Sequence, residues 1–124
     1  MRVIEKKINE MISEGLKGKQ FDRNLSKRDR VVSDGKGKVQ VFLWGSEVAS
    51  FDAEADEMIV DSCGFQTNTT KSRLNSLLSD WARGNPSIYQ KNFTWFVSKR
   101  CPVLLEEKSV EFQGVERFPL LVWR

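Results

Sequence analysis

Residues 39–51 read VQVFLWGSEVASF, which is a strand, a turn and a second strand in one stretch. Val39–Trp44 is rich in β-branched and aromatic residues, as is typical of a strand. Gly45-Ser46 predicts a two-residue hairpin turn. Glu47–Phe51 is therefore expected to return antiparallel to the first strand, and a hairpin at this point favours a fold built on an antiparallel sheet.

Further strands are predicted on both sides of this hairpin. Short runs of β-branched and aromatic residues, bounded by Gly, Asn, Asp or Pro, indicate strands. We assign strands to residues 28–33, 58–60, 88–90, 93–98, 110–112 and 118–123. Residues 19–25 are expected to form a loop, and Asp34–Gly37 a turn.

Two helices complete the expected fold. Apolar residues at three- and four-residue spacing predict an amphipathic helix over about residues 2–15. A second apolar stripe predicts a helix over about residues 70–82, capped by Thr67 or Thr69. The fold class is therefore α+β. It is expected to be a single domain over residues 1–124, with a mainly antiparallel sheet of six to eight strands, an N-terminal helix and one central helix.

The composition limits the chemistry. The chain has 124 residues, 40% of them hydrophobic and 30% charged, and its longest apolar runs are far too short to span a membrane. Histidine is absent, which excludes a Ser-His-Asp or Cys-His catalytic device and a zinc site containing histidine. Cys63 and Cys101 are expected to be reduced thiols. We predict a protein that is not an enzyme and that uses no cofactor or metal.

The charges are distributed in segments. Residues 17–38 carry a net charge of +5, residues 47–61 carry −6, and residues 62–100 carry +5. Two basic segments that met on one surface would suit a phosphate backbone. The alternative is that the acidic segment neutralises one of the basic segments across the sheet.

The start of the central helix carries more polar residues than a cap requires. Residues 64–75 read GFQTNTTKSRLN. One hydroxyl is enough to cap a helix, and cations in the first turn oppose the helix dipole. A bound phosphate or partner carboxylate would account for both features, held by Thr67, Thr69, Thr70, Lys71 and Arg73. Asn75 follows on the helix, where it either contacts an adjacent polar group or is exposed. The alternative is that the threonines only cap, while the two cations reach back to the acidic residues 52–61.

The segment YQKNFTWF, residues 89–96, interleaves aromatic and polar residues. Tyr89, Lys91 and Phe93 resemble a platform on which the bases of a single-stranded nucleic acid stack. Alternation along a strand places Phe93 and Trp95 on one face and Phe96 on the other, and one of these faces must be core. Packing in the core is therefore the alternative role.

The acidic loop DAEADE, residues 52–57, has a calcium-loop spacing at its first three carboxylates. The glycine and the distal glutamate that such a loop requires are missing. We interpret it as a solvated loop or as an acidic surface for a basic partner.

Parts of the chain resemble a family of small proteins from tailed bacteriophages. The resemblance covers about residues 30–96 and is carried by Arg30–Val32, Val41–Ala49, the block at residues 64–75 and Tyr89–Trp95. The family hairpin reads Leu-His-Gly-Asn, whereas here Trp44 and Ser46 replace the histidine and the asparagine. The resemblance implies a small phage protein made in the cytoplasm of a bacterial host. It implies no catalytic residues.

From the charges and aromatics we predict an accessory protein that binds DNA or RNA through a basic surface around the start of the central helix. The candidate contacts are Thr67, Thr69, Thr70, Lys71, Arg73, Asn75, Tyr89, Lys91, Phe93, Arg28 and Arg30. The alternative is an inhibitor that binds a host defence or transcription protein, of the anti-CRISPR or anti-restriction type. The acidic segment favours this alternative. Neither hypothesis involves a membrane.

Overall fold

The computed structural model describes residues 2–101 and 106–121, with side chains described for residues 2–98 and 109–121. The elements in chain order are α1 (Val3–Leu16), β1 (Gln20–Asn24), β2 (Asp29–Asp34), β3 (Lys38–Leu43), β4 (Ser46–Asp52), β5 (Glu57–Asp61), α2 (Asn68–Trp81), β6 (Ser87–Lys91), β7 (Thr94–Cys101), β8 (Glu106–Glu111) and β9 (Val115–Pro119).

The described strands form two antiparallel sheets. The larger sheet has six strands in the order β1-β2-β3-β4-β5-β9, and the smaller has three in the order β6-β7-β8. The predicted α+β class, with mainly antiparallel strands, an N-terminal helix and a central helix, is confirmed. The division of the strands into two sheets was not predicted.

Two local predictions were wrong. The expected loop at residues 19–25 contains β1, an edge strand whose residues are mostly exposed and which pairs with β2 along its whole length. The hairpin turn is Trp44-Gly45 rather than Gly45-Ser46, because Leu43 pairs with Ser46. Trp44 has φ 54° and Gly45 has φ 79°, the left-handed pair of a type I′ turn. Residues 122 and 123 of the predicted last strand lie outside the described residues.

The core lies between the larger sheet, the two helices and the smaller sheet. Helix α1 packs on β2 and β3, while α2 contacts β6 and α1. Trp81 of α2 meets Phe51 of β4 edge to face, with ring centroids 6.0 Å apart. Gly15 lets α1 approach β3 closely, since a Cβ there would lie 2.7 Å from Val39 Cγ2. The helices thus cover one face of the larger sheet and hold the start of α2 beside the start of β2.

Candidate nucleic-acid interface

Helix α2 begins with a conventional cap. Thr67 is the N-cap, and its Oγ1 accepts a hydrogen bond from the backbone N–H of Thr70 at 3.2 Å. The hydroxyls of Thr67 and Thr70 lie 3.1 Å apart, and Thr70 is buried. Thr67 is therefore the capping residue of the two predicted, and half-buried Thr69 is left beside it on the first turn.

Arg73 lies on the buried side of α2, where its side chain is 2% exposed. Its Nε and Nη2 donate to the carboxylate of Asp29 at 2.7 and 3.1 Å, and its Nη1 donates to Glu5 Oε2 at 2.8 Å. Ser72 Oγ donates to the same Glu5 oxygen at 2.6 Å, and Ser26 Oγ donates to Asp29 at 2.8 Å. Glu5, Asp29 and Arg73 form what we call the buried ion cluster, which joins α1, β2 and α2.

The buried ion cluster gives Arg73 a role that the sequence did not predict. Burial opposes the charge of the guanidinium, but the hydrogen bonds and attraction of Asp29 and Glu5 outweigh it and raise the pKa of Arg73. The cluster holds two carboxylates and one guanidinium, and Arg28, with Nε 3.8 Å from Asp29 Oδ2, brings a second cation to its edge. A ligand on the surface does not reach Arg73, and its partners are not the acidic residues 52–61.

Asn75 also acts inside the fold. Its Nδ2 donates to the carbonyl oxygen of Ile88 at 2.8 Å, and its Oδ1 accepts from the backbone N–H of Ile88 at 2.7 Å. The side-chain amide thus pairs with a backbone position of β6 as a neighbouring strand would. Asn75 fixes the smaller sheet to α2, so both of its polar groups are used before any ligand arrives.

The aromatic residues of the smaller sheet divide between core and surface. Trp95 is buried and packs near Phe112, with ring centroids 6.2 Å apart. Tyr89 stacks on Phe96 at 5.6 Å between centroids and is partly exposed. Phe93 does not lie on the strand face with Trp95 as predicted. It occupies the β6–β7 turn and is 94% exposed.

Arg30 lies away from the start of α2, on the sheet face that the helices leave uncovered. Its Nε and Nη2 donate to the two carboxylate oxygens of Asp22 at 2.8 and 2.6 Å, and its guanidinium lies 5.3 Å from the centre of the Phe42 ring. The hydrogen bonds from Arg30 lower the pKa of Asp22. The structure therefore does not bring Arg30 together with Lys71.

Backbone contacts bring several separate segments to the end of the molecule where α2 begins. The N–H of Trp44 donates to the carbonyl of Arg28 at 2.8 Å, next to the buried ion cluster. Cys63 Sγ lies 3.1 Å from the carbonyl oxygen of Glu47, which places the segment before α2 beside the β3–β4 hairpin. Residues 47 and 63 are thus in contact, so the segment that leads into α2 passes close to the turn of the β3–β4 hairpin.

The β6–β7 hairpin reaches the same end by a second set of contacts. Ser62, which lies shortly before α2, donates its N–H to the carbonyl of Gly114 at 2.8 Å. Phe112 precedes Gly114 by two residues, and its N–H donates to the carbonyl of Trp95 in β7 at 2.9 Å. Trp95 follows Phe93 by two residues. We call this end, with its exposed side chains Trp44, Phe65, Tyr89 and Phe93, the aromatic end.

Sequence reasoning missed Trp44 and Phe65 as candidate contacts. Trp44 was placed in the strand, where an aromatic side chain needs no special explanation. The glycine that follows it carried the useful signal, because a residue before Gly in a tight hairpin lies at the exposed tip. No local signal pointed to Phe65.

The acidic loop, residues 52–57, is stabilised by hydrogen bonds from its own backbone N–H groups and by ion pairs with two arginines. Asp52 Oδ1 accepts from the N–H groups of Glu54 and Ala55 at 3.0 and 3.1 Å. Arg83 lies 3.7 Å from Asp56, and Arg117 lies 3.5 Å from Glu57. Within residues 2–101 and 106–121, no three acidic or cysteine side chains are grouped as a metal ion would require.

Comparison with known proteins shows which kind of organism encodes proteins of this family. The chain is a phage protein, as the resemblance implied. It belongs to the family described as Kyanoviridae Gp96 protein, whose model matches residues 1–117. No curated protein and no solved structure matches the chain. Among the described residues, no helix has the length and apolar character needed to cross a bilayer.

Proposed function

We propose that this phage protein is a non-enzymatic accessory protein that binds nucleic acid at the aromatic end, in the cytoplasm of its bacterial host. The observation that supports this most directly is the combination found there: lysines that form no ion pair with the described residues, at the same end as exposed aromatic rings. This pairing suits a chain of phosphates that carries bases with flat π-faces.

Lys71 and Lys91 are the cations of the proposed interface. Lys71 lies in the first turn of α2 and Lys91 ends β6, immediately before the turn that holds Phe93. Among the described residues neither lysine forms an ion pair, so both charges are available to a phosphate. Glu47 is exposed at the same end, which limits the contact to a few phosphates.

Binding to nucleic acid is tested by the fluorescence anisotropy of labelled DNA and RNA oligonucleotides. Because each contacted phosphate releases counterions, the two lysine contacts predict a loss of roughly tenfold in affinity between about 50 mM and about 200 mM salt. The Lys71→Glu/Lys91→Glu double variant is expected to abolish this binding.

A matched control separates the local effect from the change in net charge. The Lys17→Glu/Lys36→Glu variant changes the charge by the same amount at exposed positions. Both lie at the opposite end, where Gly18 approaches Gly35 after β2 has run its length. Equal loss in both double variants, or no binding at low salt, would contradict the proposal.

A second candidate function, binding a host defence or transcription protein, is favoured by the uncovered face of the larger sheet. This face contains a shallow hollow of about 330 Å³. Val32 and Ile59 supply apolar surface, while Asp34, Asp52 and Glu57 outnumber Lys38 around them. A basic partner would suit this face. Specific capture of a host protein that Ile59→Lys abolishes, together with no affinity for nucleic acid, would favour this second function.

A further inference from the structure

Two hairpin tips place a large aromatic residue where the backbone disfavours it. The β3–β4 turn has Trp44 at φ 54°, and the β6–β7 turn has Asn92 and Phe93 at φ 52° and 64°. Both turns have two residues, because Leu43 pairs with Ser46 and Lys91 with Thr94. Asn-Gly is the preferred sequence for such turns, since glycine adopts positive φ without strain.

Packing within the chain does not account for these two residues. Phe93 is 94% exposed and Trp44 is 66% exposed, so neither buries much of its ring. A bulky residue with positive φ is a strained outlier, and such strain tends to persist where a side chain has a function. Both turns retain the other half of the favourable pair, Asn92 in one and Gly45 in the other. In each turn, therefore, an aromatic residue occupies the one position that differs from the preferred Asn-Gly sequence.

We propose that Trp44 and Phe93 stack on unpaired bases, so that the aromatic end selects single-stranded over double-stranded nucleic acid. This inference rests on the proposed function and names the class of nucleic acid that is bound. Bases in a duplex are already stacked on one another, and their faces are closed to side chains. Bases of a single strand offer their faces, and stacking on an aromatic ring stabilises any of them.

The charges around the tips favour a polyanion over an apolar protein surface. Lys91 immediately precedes the β6–β7 turn, and the carbonyl of Arg28 accepts from the N–H of Trp44. The Arg28 side chain is 42% exposed. Lys91 thus precedes Phe93 by two residues, and the backbone of Arg28 contacts that of Trp44, while the Arg28 Nε also lies 3.8 Å from Asp29 Oδ2. A strand that crosses both tips would place bases on the rings and phosphates near the cations.

The test compares a labelled oligothymidine of about 12 nucleotides with the same strand in a duplex, by anisotropy at low salt. We expect tighter binding of the single strand. Trp44→Asn and Phe93→Gly, which both restore an Asn-Gly turn, are each expected to weaken it roughly 5- to 150-fold. Trp44→Phe and Phe93→Trp retain an aromatic ring and are expected to retain binding. Phe93→Leu retains apolar surface without a π-face and is expected to lose it.

The outcomes separate this inference from the proposed function. Equal affinity for single and double strands would overturn the inference and leave the proposed function standing. The same conclusion follows if the lysine variant loses binding while the Asn and Gly variants keep it. Retention in Phe93→Leu would show apolar contact and overturn base stacking. Absence of all binding to nucleic acid would overturn both. Melting temperatures of Trp44→Asn and Phe93→Gly no lower than wild type exclude misfolding as the cause of lost binding.

Discussion

The buried ion cluster and the two aromatic hairpin tips lie at the same end of the molecule, yet they relate to the fold in opposite ways. Every charge of the cluster has a partner, and each of its three residues is at most 3% exposed. Trp44 and Phe93 are exposed and sit in strained turns. Folding explains why Arg73 is an arginine, whereas it does not explain why residue 93 is a phenylalanine. The residues of the buried ion cluster therefore stabilise this end of the molecule, whereas Trp44 and Phe93 are exposed on its surface and contribute little to packing.

The largest expected effect is from Arg73→Leu, because the change removes the guanidinium to which both buried carboxylates are hydrogen-bonded. Loss of one member of a buried pair typically costs about 3–5 kcal/mol, a large part of the stability of a small domain. Urea denaturation followed by circular dichroism measures the free energy of unfolding. Arg83→Leu is the control, since its pair with Asp56 is half-exposed and we expect a loss below about 1 kcal/mol. Equal effects of the two changes would contradict the role of the cluster.

Asn75→Ala tests a second residue that was predicted to contact a ligand. In the structure its side-chain amide is hydrogen-bonded to the backbone of Ile88. The change leaves the N–H and carbonyl of buried Ile88 without their partner, for an expected cost of about 1–3 kcal/mol. Asn68→Ala, on an exposed position of the same helix, is the control and is expected to change stability by less than about 0.5 kcal/mol. A loss as small as that of the control would leave Asn75 as a candidate contact. Thermal and urea unfolding provide the measurement.

The sequence predicted the elements whose signals are local. The β-branched run of β3 and the apolar stripes of the two helices depend on neighbours within a few residues, and both helices formed within two residues of their expected bounds. Strand β1 was missed because its sequence has little strand propensity and it forms by pairing with β2 at the sheet edge. The hairpin turn was displaced by one residue, since a tryptophan with positive φ goes against the usual preference.

The candidate site was predicted only in part because it is assembled from distant segments. Arg73 lies on the same stripe of α2 as Leu74 and Leu77, and Glu5 lies on the stripe of Ile8 in α1. The sequence therefore contained a signal for an internal ion pair: a glutamate on the apolar face of one helix and an arginine on the apolar face of the other. The meeting of residues 44, 65 and 93 at one end depends on long-range contacts, so no local pattern contains it.

Replacing a strained aromatic residue by glycine or asparagine is expected to stabilise the protein, whereas most substitutions lower the free energy of unfolding. Phe93→Gly relieves a positive φ and should raise the free energy of unfolding by about 1 kcal/mol. Phe93→Ala removes the same ring and keeps the strain, so we expect a change near zero. Phe65→Ala removes an exposed ring from the same end and should also have little effect. A loss of stability in Phe93→Gly would show that the ring packs against the fold.

The smallest effect is expected at the opposite end, where the turn after β2 follows the usual rules. Its positive φ positions are Gly35 and Gly37, and Asp34 Oδ1 accepts from the N–H groups of Lys36 and Lys38 at 2.7 and 3.1 Å. These hydrogen bonds lower the pKa of Asp34 below its ordinary value of about 3.9. Because the folded pKa is the lower one, the stabilisation is present above about pH 4 and is lost as the pH falls through the folded pKa. Asp34→Asn keeps an acceptor and removes the titration, so the dependence of unfolding on pH below about 4 should become slightly shallower than in wild type. Unchanged pH dependence would mean that the carboxylate is equally favoured in the unfolded chain.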